Sequence, residues 1–371
     1  MRLEPAIPAE ALAAIRAPFV SAGATALDVP VLQPLALLLD LAGEAMRPRL
    51  FVVQAEGGEE AALRPDFTIG VARAHLASGA VEGRYFYEGK AFRAAGGAAR
   101  AEEFLQLGIE VYGGADTAAA DAEILALAWR SAAAGGRDDL TLMLGDISLF
   151  SALVDDLGLE PALGARLKRA FGRPRLLAAE LDAEASDRTG RESRLAGLLA
   201  GLPEPDAAAL LEEVWSLAGV SPIGGRPTAE IARRLAARGG EGLRARLTAG
   251  QTETVRSFLA LEAAPQEALA ALERLGGERL GVRIGQWRRR LELLAEAGLP
   301  LAQARFGAGF GRAFGYYDGP LFEVRSGALG PERPLAAGGR YDGLAARLGG
   351  VALGAAGCMV RPARAYAEGR E

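Results

Sequence analysis

Two strand-like runs constrain this chain more than anything else in it. They are RYFYEGKAFR at 84–93 and FLQLGIEVYG at 104–113, joined by the ten residues AAGGAARAEE. Runs of that kind, separated by small and glycine-rich sequence, fold back on each other as a long antiparallel hairpin. In the second run Leu105, Leu107, Ile109 and Val111 fall on one face, and Phe104, Gln106, Gly108, Glu110 and Tyr112 on the other. A half-exposed strand would turn Gln106 and Glu110 to water. The alternative is a face turned into a polar cavity, and the strand alone leaves both readings open.

The rest of the chain narrows the function classes. Its 371 residues allow two or three domains, and half of them are hydrophobic, as in ordinary globular proteins. The net charge of −5 argues against nucleic acid as the main partner. The one cysteine, Cys358, excludes an internal disulfide, and the one histidine, His75, excludes a multi-histidine metal site. His75 has no partner at metal-ligand spacing and reads as structural. MRLEPAIPAE has no apolar core of a signal peptide. LQPLALLLDLAGEAM is broken by Asp40 and Glu44 and is too short to span a bilayer. A cytoplasmic protein with no membrane partner is expected.

Along the chain, residues 8–46 have helical character, and 49–54 with ALRPDF read as short strands. TIGVARAHLASG reads as a helix, with Thr68 placed to cap it and Gly79 to stop it. A helix opens at Asp116 or Thr117, and DLTLMLGD at 139–146 is a strand. From about 150 to 300 every segment has helical period, and the arginine clusters there, such as Arg288-Arg289-Arg290, read as solvated faces. An RNA-binding role would rest on those clusters only. GRAFGYYDGPLFEV at 311–324 has the signature of a hairpin turning at Asp318-Gly319. The fold class expected is therefore α+β: a core from 1–150 and 301–371, interrupted by a helical insertion at 151–300.

Several stretches, in order, resemble class II histidyl-tRNA synthetases. LRPDFT at 63–68 is similar to their LRPEGT element, and the 84–113 hairpin to their motif 2. FGRAFGYYDGPLFE resembles the first histidine-specific signature, AAGGRYDGL the second, and GVALGAAGCMVR motif 3, with Arg361 at the place of an ATP-anchoring arginine. The resemblance implies an antiparallel sheet of six or seven strands with flanking helices, dimerising through residues somewhere in 20–54. It also implies that the polar face of the hairpin lines an amino-acid pocket. For a histidine ligand, Glu110 and the hydroxyl of Tyr317 would hold the two ends of the imidazole. Asp66, Thr68 and Gln106 would accept from the α-ammonium, and Arg312 or Arg93 would take the α-carboxylate. Tyr341 would close one wall.

The departures from that pattern shape the expected function. The hairpin tip lacks most of the charged side chains that contact ATP and tRNA in the synthetases. Motif 3 reads Cys358-Met359-Val360-Arg361 where Gly-x-Glu-Arg is expected. A side chain where backbone must approach a nucleotide closely should obstruct it. The sequence ends about ten residues after Arg361, where a synthetase would continue into an anticodon-binding domain. This combination resembles the regulatory subunits of ATP phosphoribosyltransferase, synthetase paralogues of histidine biosynthesis. The resemblance implies a non-catalytic chain that activates a short-form catalytic subunit in a hetero-oligomer and makes it sensitive to histidine, with no cofactor, metal or nucleic acid. The alternative is a shortened synthetase-like enzyme that activates histidine with ATP.

Overall fold

The computed structural model describes residues 3–54, 58, 60–94, 101–182, 198–199, 201–217, 228–239, 246–311 and 315–367. Their strands are β1 (Thr25–Ala26), β2 (Leu32–Pro34), β3 (Val52–Gln54), β4 (Glu60–Leu63), β5 (Gly83–Phe92), β6 (Glu103–Tyr112), β7 (Leu140–Asp146), β8 (Glu262–Ala263), β9 (Ala304–Gly307), β10 (Pro320–Ser326), β11 (Ala336–Arg340) and β12 (Ala355–Val360). Nine of them form one sheet in the order β1-β5-β6-β12-β11-β10-β7-β9-β8. Its pairs are antiparallel except β1 with β5 and β7 with β9. The sheet is thus larger than expected, because short strands at both edges are added by segments without strand periodicity. A small separate sheet has β4 between β2 and β3.

The hairpin forms over its full length, with Gly83 to Phe92 opposite Tyr112 to Glu103. β6 then sits inside the sheet, flanked by β5 and β12. A strand in that position has no solvent edge, and its two faces meet other layers. The polar face of Phe104, Gln106, Gly108, Glu110 and Tyr112 is buried throughout, whereas Leu105 and Val111 on the apolar face are only half-buried. This inverts the ordinary expectation for a strand wet on one side.

Helix Thr117–Ala133 packs on β6, β10, β11 and β12, and helix Glu278–Glu296 packs on it in turn. Buried charges fix this layer. Asp121 accepts from Arg290 Nε at 2.7 Å and from Arg340 Nε at 2.8 Å. Asp146, at the end of β7, accepts from Trp287 Nε1 at 2.7 Å, and burial raises its pKa against the pull of Ser148 and Trp287. The described residues group into two compact units, 1–158 with 253–371, and 159–252. The expected helical insertion, 151–300, is wider than the second unit, since Trp287 and Arg290 tie helix Glu278–Glu296 to the sheet layer. Within the second unit, Leu199, Ala207, Leu211 and Ala232 form a core of their own.

Two local expectations differ from what is observed. Residues 311–324 do not pair as a hairpin at Asp318-Gly319: the described part contains one strand, β10, which pairs with β7 and β11. The Asp318 carboxylate instead accepts from the backbone of Asp342 at 3.0 Å and Gly343 at 2.7 Å, joining two loops distant in sequence. Helix Thr68–Ser78 ends at Gly79, whose φ of 69° is left-handed, as its sequence suggests. Its N-cap, however, is Phe67 with no side-chain cap, so the Thr68 hydroxyl is free for another use.

Candidate ligand-binding site

Sheet register assembles the floor of the site. Glu110 of β6 lies opposite Tyr85 of β5 and Gly357 of β12, and Gly108 lies opposite Tyr87 and Met359. Glycine at these two crossings is a steric requirement. A β-carbon at 357 would collide with the Glu110 carboxylate, and one at 108 with the Cys358 carbonyl and the Tyr87 hydroxyl. Tyr87 is held there by a parallel stack on Phe67, with centroids 4.4 Å apart. Asp66 and Thr68, at the start of helix Thr68–Ser78, together with Tyr316 and Tyr317 ahead of β10, complete the walls.

The structure brings Asp66, Thr68, Arg93, Gln106, Glu110 and Tyr317, six of the residues proposed from the sequence, around one hollow. Tyr341 stands behind Glu110 and donates to its carboxylate, without lining the free space. Arg312 lies outside the described residues. The hollow also takes in Tyr87, Tyr316, Gly357, Cys358 and Met359, which sequence reasoning did not select. The alternation of Tyr85 and Tyr87 on the polar side of β5 was the available signal for Tyr87. Tyr316 and Gly357 had none, since their places depend on which strands become neighbours. The free volume is about 10 Å³, room for one water, so an amino acid enters only as the walls move apart.

Glu110 is the electrostatic centre. It is 1% exposed, accepts from Thr68 Oγ1 at 2.7 Å, and accepts from the Tyr341 hydroxyl on its other oxygen. Burial pushes its pKa up to about 8, against the opposing pull of the Tyr341 and Thr68 hydrogen bonds. Burial thus favours the protonated form of this carboxyl. Asp66 accepts from Tyr316 at 3.2 Å. Gln106 donates to the Tyr87 hydroxyl at 3.4 Å, and its buried Oε1 has no hydrogen-bond partner among the described residues. A hollow lined by Glu110, Asp66 and the Gln106 carbonyl offers acceptors to a ligand rich in N–H groups.

Arg93 stands at the far end, donating to the Pro65 carbonyl at 2.8 Å with its guanidinium 5.3 Å from the Phe104 ring centre. Beyond it Arg361 lies over the same ring at 3.4 Å and pairs with Glu4. His75 is away from the hollow, buried in a stack on Tyr112 at 4.3 Å with Nδ1 3.0 Å from the Tyr85 hydroxyl. Among the described residues no cluster of His, Cys, Asp or Glu has the makings of a metal site, and no helix is long and apolar enough to cross a membrane.

Comparison with known proteins agrees with this architecture. The histidyl-tRNA synthetase family model matches residues 8–219 and 207–364. The chain is 37% identical over 335 residues to the ATP phosphoribosyltransferase regulatory subunit of Brucella anthropi, covering 87% of each. It is 36% identical over 348 residues to that of Brucella canis, covering 91% of this chain and 90% of the other. Among solved structures, an ATP phosphoribosyltransferase regulatory subunit/histidyl-tRNA synthetase from Bacillus halodurans superposes with a TM-score of 0.65 at 21% identity, over 96% of this chain and 78% of that one. Histidyl-tRNA synthetase from Nostoc sp. PCC 7120 gives 0.60 at 15% identity, over 96% and 69%. At such identities the two structures speak for the fold alone. A class II sheet with the histidine-type signatures on its polar face, in a chain over a third identical to curated regulatory subunits along nearly all its length, belongs to the ATP phosphoribosyltransferase regulatory subunit family.

Proposed function

We propose that this chain is the regulatory, non-catalytic component of a glycosyltransferase, ATP phosphoribosyltransferase, at the first step of histidine biosynthesis. It activates a short-form catalytic subunit in a hetero-oligomer and carries the site through which histidine inhibits that complex. The observation that carries the reading is the buried Glu110, its pKa raised by burial, sharing one hollow with an unpartnered Gln106 carbonyl. A histidine imidazole placed between Glu110 and Tyr317 satisfies both, and Asp66 with Gln106 takes the ammonium. Arg93 and Arg312 serve the α-carboxylate.

Coupling requires histidine to favour the inhibited arrangement over the active one. Because the empty hollow admits only a water, histidine must part Tyr316 and Tyr317 from the sheet. That movement is the differential contact by which binding is transmitted. Self-association through the small sheet, whose Leu32, Val52 and Val53 are exposed, fits the same assembly. A cytoplasmic location suits a biosynthetic complex.

The decisive experiment assays the transferase with the short catalytic subunit of the same organism, alone and with this chain, with and without histidine. Activity that rises with this chain and falls again with histidine is expected. Activity indifferent to this chain removes the reading, and histidine-dependent ATP–pyrophosphate exchange by this chain alone would replace it with the activating enzyme.

A further inference from the structure

Beyond the hollow, the guanidinium of Arg361 is met by the chain itself. Arg361 is 3% exposed, with its guanidinium carbon 3.4 Å from the Phe104 ring centre, and burial lowers its pKa to about 9 with help from Arg364 and Arg93. The carboxylate facing it comes from Glu4, more than 350 residues away in sequence. Glu4 Oε1 also lies 3.7 Å from Arg364 Nε. One acid thus serves two guanidiniums, with a third, that of Arg93, near enough to be felt.

The fit is incomplete. A guanidinium and a carboxylate pair best through two parallel hydrogen bonds. Here only Oε1 is engaged; Glu4 Oε2 and Arg361 Nε are both buried without a hydrogen-bond partner among the described residues. Burying such groups unpaired is costly. An anion with more oxygens would meet these donors better than Glu4 does. The segment bearing Glu4 is also lightly held. Among the described residues, its backbone contacts with the sheet are an isolated bridge from Leu3 to Glu103 and a hydrogen bond from Glu4 N to Glu103 O at 3.3 Å, and Leu3 is 63% exposed. Segments with so few contacts open at low free-energy cost.

We infer that Leu3–Glu4 is an intramolecular strap whose carboxylate occupies an anion site built by Arg361, Arg364 and Phe104, keeping phosphate-bearing ligands out of the cleft. The strap is separate from the Glu110 end and from any effect of histidine there. It predicts that this chain binds polyphosphate weakly because of Glu4, and not for want of a site.

The test is calorimetric titration of the full chain with inorganic triphosphate, for wild type, E4Q, and E4Q combined with R361A. E4Q should bind at least tenfold more tightly than wild type, and the double variant should lose that gain. In wild type, saturating triphosphate should speed hydrogen exchange in the peptide containing Glu4. Equal affinity of wild type and E4Q, including none in either, overturns the proposal. So does triphosphate binding that leaves that peptide protected, or an E4Q chain that no longer folds, since a displaceable strap is not needed for the core. Histidine inhibition of the reconstituted complex, measured alongside, should be unchanged in E4Q, which separates failure of the strap from failure of the regulatory reading.

Discussion

Two buried ionisable groups, Glu110 and Arg361, meet different surroundings. At one end Glu110 is held by two neutral hydroxyls, of Thr68 and Tyr341, which fix it in place while burial favours its protonated form. At the other, Arg361 is met by a full carboxylate of the same chain. A group supported by dipoles keeps its electrostatic demand for a ligand to satisfy. A group neutralised from within has little left to offer unless its partner leaves. On the proposed reading, the contrast would leave the Glu110 end open to a ligand and the Arg361 end already satisfied.

The sharpest way to break the Glu110 end without touching Arg361 is at Gly357. G357A drives a methyl into the Glu110 carboxylate; overpacking of this kind costs about 1–3 kcal/mol in fold stability. It should also weaken histidine binding about 100-fold or more, because floor and carboxylate are displaced together and charge-assisted bonds are worth about 1.5–3 kcal/mol each. Calorimetry and the histidine inhibition curve of the reconstituted complex read this directly. Retained inhibition would mean that histidine acts elsewhere.

E110Q keeps the shape and removes the ionisable group, with an expected loss of roughly 10- to 150-fold in histidine affinity. It also sharpens the comparison through pH. Free imidazole titrates near pH 6.5, and Glu110 in the empty site near pH 8. Between those values the site brings the one proton that the complex shares, so affinity is flat. Above pH 8 the empty site has lost that proton, and affinity should fall up to about tenfold per unit. In E110Q this upper limb disappears.

Stability should follow the same group with a determinate sign. The carboxyl has a folded pKa of about 8 against an ordinary 4.5, so above pH 4.5 the unfolded chain releases a proton that the native state keeps. Wild type without ligand should therefore lose stability relative to E110Q from about pH 4.5 to 8, and level off above that. Melting temperatures of the two proteins across that range test it, and parallel curves would contradict the burial argument. The smallest effect belongs to Y341F. Losing one hydrogen bond costs about 1 kcal/mol, roughly fivefold in affinity. It should also move the upper pH limb higher, because Tyr341 holds the Glu110 pKa down.

Much of this site was legible in sequence because strands alternate. Gln106 and Glu110 share a face of β6 by local geometry alone, and the register with Tyr85 and Tyr87 follows from the hairpin. Thr68 was expected to cap its helix and to accept from a ligand ammonium; its hydroxyl does not cap, and donates to a carboxylate 42 residues away. Asp318-Gly319 carried a hairpin signal that tertiary structure overrode, because Asp318 is engaged by backbone N–H groups of Asp342 and Gly343. Nothing local in MRLEPAIPAE marks Glu4 as the partner of Arg361.

What the sequence by itself determined is the set of periodic elements and the face on which each polar residue lies, since backbone pleat and helix pitch act over a few residues. Only the tertiary structure decided that β12 would lie beside β6, bringing Gly357 beneath Glu110. It likewise decided that the N-terminal segment would reach Arg361. Those are choices of neighbour between segments hundreds of residues apart, made by burial and charge compensation over the whole sheet, and no short stretch of chain records them.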